Sequence, residues 1–276
     1  SMLHYAPVAG RHRADALEDW GLDLSTLLPL ETLGEALKKR RVTSYLLLQK
    51  DLLGSGLSRV MHRGVDRVVR HIGYTDMWVT LHDLLRRTRR EKCFINVYWN
   101  AVDAVSHLYG TVAEQALAEI GRQLADLRDV ICAEDVADGR TLLLFVADHG
   151  HTPVTEVVHL LDHAPVVEAL RCGPGGQERL ANLYLREGFR AQVEDYFREH
   201  MPGKFFTLRP DDAQAAGLFG PEPPHPEAGA RLGDLIVIAR DGIAGSVRPP
   251  GPLTNASRHG GLSADEMLVP LLMRTF

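Results

Sequence analysis

The run Thr141-Leu-Leu-Leu-Phe-Val-Ala147 is the most hydrophobic in the chain, and it ends abruptly on Asp148-His-Gly-His151. An unbroken apolar run, without the alternation of a half-solvated strand, reads as a strand buried on both faces. A second apolar run, Phe94-Ile-Asn-Val-Tyr-Trp99, ends in the same way, on Asn100-Ala-Val-Asp103-Ala-Val-Ser-His107. Between the two, Ala116, Ile120, Leu124 and Leu127 recur at helical spacing and predict one long helix over about 112–131. Strand, helix and strand in that order predict a parallel α/β sheet. Ligands of such sheets bind outside the carboxyl ends of the strands, so the two polar segments are expected to face one crevice.

The remaining segments fit that plan. Leu33, Ala36 and Leu37 predict a helix that ends in the basic run Lys38-Lys-Arg-Arg41, and Val42-Thr-Ser-Tyr-Leu-Leu-Leu48 predicts a strand. An amphipathic helix is expected over 75–85. From Gly173-Pro-Gly-Gly176 the character changes. Strands at 181–186, 205–208 and 235–239 are interleaved with a helix at 190–200, a helical turn at 211–216 and the proline-rich Pro221-Glu-Pro-Pro-His-Pro226. The expected architecture is an α/β core over 1–172 and 252–276, a mostly parallel sheet flanked by helices. A smaller α+β, cap-like subdomain is inserted at 173–251, after which His259-Gly-Gly and an apolar strand at 267–273 return to the core.

Composition removes several classes of function. With 31 basic and 36 acidic side chains the net charge is -5, and the basic clusters at Lys38–Arg41 and Arg86–Lys92 fall at helix ends, where cations complement the dipole. General nucleic-acid binding is not expected. Three scattered cysteines, Cys93, Cys132 and Cys172, suggest reduced thiols in the cytoplasm. No apolar run reaches the roughly 18 residues of a membrane span, and the first residues lack the pattern of a signal peptide. A chain of this size buries about 70–75% of its unfolded surface and needs no metal merely to fold.

The thirteen histidines therefore call for a chemical reason. Asp103 and His107 are four residues apart, which puts a carboxylate and an imidazole on one helix face. Both are ligand types for a divalent metal such as zinc, although a plain Asp–His hydrogen bond explains the pair at least as well. Asp148 and His149 form an adjacent pair beside Gly150, whose lack of a Cβ allows a sharp turn. His259 precedes Gly260-Gly261. Each alone could be a turn residue or a surface imidazole. Gathered at strand ends that face one crevice, they favour a metal.

Tyr98-Trp99, Asp103, His107 and Gly110, then Ala147-Asp-His-Gly150, then His259-Gly-Gly, in this order, resemble the alkaline phosphatase superfamily. Within it the closest resemblance is to the type I phosphodiesterase/nucleotide pyrophosphatase family, over residues 28–276. Arg231–Ile238 and Glu266–Leu272 also resemble stretches of bacterial members. The resemblance implies an alkaline-phosphatase-like fold holding two divalent metals about 3.5–4 Å apart. Zinc is expected, with Mn²⁺ or Fe as alternatives. Asp103, His107 and His259 match the ligands of one metal, and Asp148 and His149 match two ligands of the other. His151 lies beyond the matched set and is expected to support the ligands from behind or to be structural. The implied activity is hydrolysis of a phosphodiester or nucleotide pyrophosphate bond in a small substrate. Phosphomonoester, phosphonate and sulfate ester hydrolysis share the ligand set, and a non-catalytic metal-binding module is the alternative outside the enzymes. Arg179 and Arg231 are possible anion contacts, with Arg–carboxylate pairing as the alternative for both.

One departure limits the match. In the family the second metal also takes an Asp from the first strand of the sheet, and the nucleophile is a Thr or Ser at the start of a following helix. No apolar strand ending in Asp occurs near the start of this chain, and in Asp23-Leu-Ser-Thr26 the acid and hydroxyl are too close together. The expectation is a chain lacking the N-terminal segment of a longer enzyme, with a pseudoenzyme as the alternative. No catalytic nucleophile is then present, and this polypeptide alone is expected to be inactive.

Overall fold

Thr32 starts the first helix for a local reason. Its hydroxyl accepts the Glu35 N–H while the Glu35 carboxylate takes the Thr32 N–H, and Lys38 and Lys39 finish the helix Leu33–Lys39. The helix feeds the strand Thr43–Gln49, which is the centre of a three-stranded parallel sheet. Arg67–His71 lies on one side of it, with Leu47 opposite Val69, and Cys93–Val97 on the other, with Leu47 opposite Val97. Over this sheet the helix Tyr74–Thr88 buries Met77, Leu81 and Leu84, one apolar stripe at helical spacing, and Met77 and Leu81 form a core with Leu47. A parallel α/β arrangement is therefore present, although the strand Leu142–Val146, expected to share a sheet with Cys93–Val97, pairs with Leu271–Thr275 instead.

The computed structural model describes residues 4–5, 12–13, 19–220, 225–247 and 255–276. It divides into two compact units. The first runs to Ala101 and takes in Ile120–Leu143 and Met273–Phe276; the second comprises Val102–Glu119 and Leu144–Leu272. The first holds the parallel sheet. In the second, an antiparallel sheet runs in the order Phe205–Leu208, Leu235–Ala239, Leu180–Leu183, Gly175–Gly176. Leu235–Ala239 is buried throughout, and the helix Arg190–His200 packs Val193 and Phe197 into the same core, with Phe197 edge-on to Phe205. A parallel pair, Glu156–His159 with Ile243–Ser246, belongs to this second unit.

Several expectations need correction. The strand Leu142–Val146 is not buried on both faces: Leu142, Leu144 and Val146 are 58%, 55% and 59% exposed. Among the described residues its one strand neighbour is Leu271–Thr275, itself exposed along its length. An apolar run specifies what can be buried; how much of it is covered depends on neighbours the run does not encode. The strand expected over 267–273 starts later, because Ser263 and Glu266 form a capping box that turns Ala264–Met267 into a helix. The lead-in over 1–25 lies largely outside the described residues, and within it Asp23 caps the 3-10 turn Leu24–Leu27 by accepting the Ser25 N–H. Of the proline-rich segment, Pro221–Pro224 lies outside the described residues, as do residues 248–254 around the expected end of the insertion.

Candidate metal centre

Three short pieces of the second unit build the site. The helix Ala101–Tyr109 presents Asp103 and His107 one turn apart and ends at Gly110, whose φ of 98° places it in the left-handed region that favours glycine. Thr152–Pro153 pairs antiparallel with Ser257–Arg258, Thr152 opposite Arg258 and Pro153 opposite Ser257. Continuing that register by one residue sets His151 across from His259. The Ala256 N–H donates to the His107 carbonyl at 2.7 Å, so the same strip is tied to the helix.

Glycine is required where the pieces approach most closely. A Cβ on Gly150 would lie 1.9 Å from the Asp265 carbonyl oxygen, and the Gly150 N–H donates to the Glu266 carbonyl at 2.8 Å. Glu266 also anchors the His259-Gly-Gly loop, accepting the Gly261 N–H at 2.8 Å and the Arg179 guanidinium at 3.0 and 2.9 Å. Both members of this ion pair are buried. Burial pushes the Glu266 carboxyl up, but Arg179, Ser263 and the Gly261 N–H outweigh it and hold it below the ordinary range.

Four side chains converge. Asp103 Oδ1 lies 2.9 Å from His151 Nε2, 3.3 Å from His107 Nε2 and 3.5 Å from His259 Nε2. One ligand atom from each of Asp103, His107, His151 and His259 falls within 4.8 Å of all the others, so the four could hold a metal ion. The fit can be tested on spacing. Zinc bonds of roughly 2.0–2.2 Å in a tetrahedron separate neighbouring ligand atoms by about 3.3–3.6 Å; the His107 and His259 distances from Asp103 fall in that range and the His151 distance is shorter. The electrostatics agree. Burial pushes the Asp103 carboxyl up, yet the close imidazoles of His107 and His151 and the charges of His107 and His259 hold it far below the carboxylate range. The contact with Asp103 raises His107. Burial, with the charge of His149 next, lowers His259 to about 4.

Ser257 orients two of the rings. Its carbonyl accepts His107 Nδ1–H at 2.9 Å, and its hydroxyl oxygen lies 3.0 Å from His151 Nδ1. Asp148 and His149 stand outside the group of four. His149 Nε2 is 3.6 Å from Asp148 Oδ2, and the Asp148 side chain is 70% exposed. The His149 ring stacks on His259 at 3.6 Å, and its Nδ1–H donates to the Gly150 carbonyl at 3.0 Å. Asp103, His107 and His259 are thus brought together with His151, and Asp148-His149 borders them. His151, outside the matched set on sequence, is the closest imidazole to Asp103. Its signal was its place two residues from His149, since residues two apart in an extended segment share a face. Ser257 left no signal. Arg179 pairs with Glu266 and Arg231 with Glu227, so both take the carboxylate-pairing alternative.

Residues 47–261 match the model of the family described as type I phosphodiesterase / nucleotide pyrophosphatase. No curated protein sequence matches the chain. Among solved structures, an inactive form of murine ectonucleotide pyrophosphatase / phosphodiesterase 5 in complex with AMP is similar at 12% identity and a TM-score of 0.67, covering 98% of this chain and 70% of that one. The human counterpart is similar at 13% identity and a TM-score of 0.67, with the same coverage. Phosphonoacetate hydrolase from Sinorhizobium meliloti 1021, in complex with phosphonoformate, is similar at 15% identity and a TM-score of 0.61, covering 98% of this chain and 72% of that one. These likenesses carry the alkaline-phosphatase-like fold. No helix among the described residues is long and apolar enough to cross a membrane.

Proposed function

The chain belongs to the type I phosphodiesterase / nucleotide pyrophosphatase family, and from that premise we propose that it is the metal-binding part of a two-metal phosphoesterase. The bond hydrolysed is a phosphodiester or nucleotide pyrophosphate bond in a small substrate. The observation that carries this reading is the convergence of His107, His151 and His259 nitrogens on one oxygen of Asp103. Asp103, His107 and His259 hold one divalent ion, and Asp148 with His149 contributes to a second. Zinc suits these nitrogen and carboxylate donors, with Mn²⁺ or Fe as the alternatives. When bound, such a pair stabilises the attacking and leaving oxygens of an in-line displacement at phosphorus.

The chain's own residues supply the rest. Asp103 remains ionised at neutral pH because its imidazole neighbours hold its carboxyl low, and burial keeps His259 neutral and able to bind. Ser257 fixes the His107 ring. That two proteins of similar fold carry AMP and phosphonoformate supports a small phosphorus-containing anion as substrate. The hydroxyl nucleophile and the remaining acidic ligand of the second metal are assigned to chain outside these residues, because Asp23, the early acid beside a pair of hydroxyls, caps a 3-10 turn. A cytoplasmic setting accords with three unpaired cysteines. The test is hydrolysis of a chromogenic phosphodiester, with a phosphomonoester and a sulfate ester as comparisons, at saturating zinc. This polypeptide should show little turnover and a form extended at its N-terminus should favour the diester. Robust hydrolysis by the present chain, abolished by Asp103→Ala, would refute the placement of the nucleophile.

A further inference from the structure

We propose that His151 is a fourth protein ligand of the metal held by Asp103, His107 and His259, making an Asp/His₃ site closed by the protein. The proposal rests on the metal reading given above and deepens it. Its ground is which ring nitrogen carries the proton. The Ser257 hydroxyl donates its single proton to the Ser106 carbonyl at 2.7 Å. The same oxygen lies 3.0 Å from His151 Nδ1, and with its proton committed it can only accept there. Nδ1 of His151 therefore bears the hydrogen, and in a neutral imidazole Nε2 is left with a bare lone pair.

That lone pair faces Asp103 Oδ1 at 2.9 Å, and an ionised carboxylate is an acceptor only. Two acceptors at such a distance repel unless a cation lies between them. His107 repeats the pattern: its Nδ1–H is held by the Ser257 carbonyl, and its Nε2 lies 3.3 Å from the same carboxylate oxygen. A proton can satisfy one imidazole at a time, whereas one metal ion satisfies every donor at once. A residue that merely positioned Asp103 would have to donate from Nε2, which with Nδ1 already protonated requires an imidazolium. His151 is also the most enclosed of the three imidazoles, its side chain 8% exposed. It is held across the strand pair from His259. Hydrogen bonding of the far ring nitrogen is the usual way a ligating histidine is aimed.

The consequence is chemical. With four protein ligands a bound zinc would have no open tetrahedral position, and a substrate oxygen would have to join as a fifth ligand. The test uses zinc alone, on the whole chain. Zinc affinity is measured by chelator competition for the parent, His151→Ala and His151→Cys, and zinc X-ray absorption is recorded at one equivalent. If His151 is a ligand, His151→Ala weakens binding beyond the roughly 10–100-fold that loss of an outer partner causes. His151→Cys then adds a sulfur neighbour at about 2.3 Å. Zinc bound by His151→Cys with no sulfur neighbour would overturn the proposal, as would affinity within that range for a folded His151→Ala. Absence of zinc binding by the parent, with His151 intact, would instead remove the metal reading beneath it.

Discussion

Two groups of the same side-chain types lie side by side in this chain and are supported very differently. Asp103 and its imidazoles are drawn from three separate stretches and braced by Ser257, the Ala256–His107 backbone bond and the Glu266–Arg179 pair. Asp148 and His149 are neighbours in sequence, yet the Asp148 carboxylate is mostly in water and its contact with His149 is 3.6 Å. Adjacency supplies ligand types cheaply but not orientation, because each exposed side chain keeps its rotamer freedom. Ring nitrogens aimed at one point need partners on their far side, and those partners come from elsewhere in the fold.

The contrast can be broken at its strongest support first. Arg179→Ala leaves the Glu266 carboxylate buried without its cation, at a cost of about 3–5 kcal/mol. Urea unfolding should show that loss, together with loss of zinc at the Asp103 cluster. An unchanged midpoint would show that the cluster is braced by something other than this pair. Next in size, Ser257→Ala removes the acceptor for His151 Nδ1, and zinc affinity should fall about 10–100-fold in competition with a chelator. Equal affinity would mean that the rings are aimed without Ser257.

The third prediction concerns pH. The Glu266 carboxyl is held below its ordinary value of 4.5 in the folded protein. Its contribution to stability is therefore complete above that value and is lost as pH falls through the lower folded value. Thermal midpoints should decline on acidification below pH 4.5, and the decline should shrink in Glu266→Gln; a midpoint that rose there would reverse the sign. The smallest effect is expected at the exposed pair. Asp148→Ala should alter affinity for the first equivalent of zinc by no more than about 5-fold, the scale of an exposed ion pair. A loss as large as that of Ser257→Ala would erase the distinction between the two groups.

Much of this was legible in the sequence, for reasons that are local. The helix Leu33–Lys39 is set by the Thr32–Glu35 box, and the helix Tyr74–Thr88 by its apolar stripe. Asp103 and His107 share a helix face because they are four apart, whatever lies around them. What stayed hidden was non-local. The exposure of Leu142, Leu144 and Val146 depends on how few neighbours that strand has, and hydrophobicity alone predicted the reverse. Ser257 was invisible because a serine in a loop has no pattern of its own.

By itself the sequence determined which ligand types the chain carries, the elements that bear them and the family to which their order points. Only the tertiary structure decided which of those groups meet. His151 joins Asp103 and His259 because a two-residue strand pair sets the register, and the hydrogen on His107 Nδ1 is fixed by a carbonyl 150 residues away. Helix and strand periodicity act over a few residues, but the protonated nitrogen of an imidazole is chosen by whatever acceptor folding brings against it.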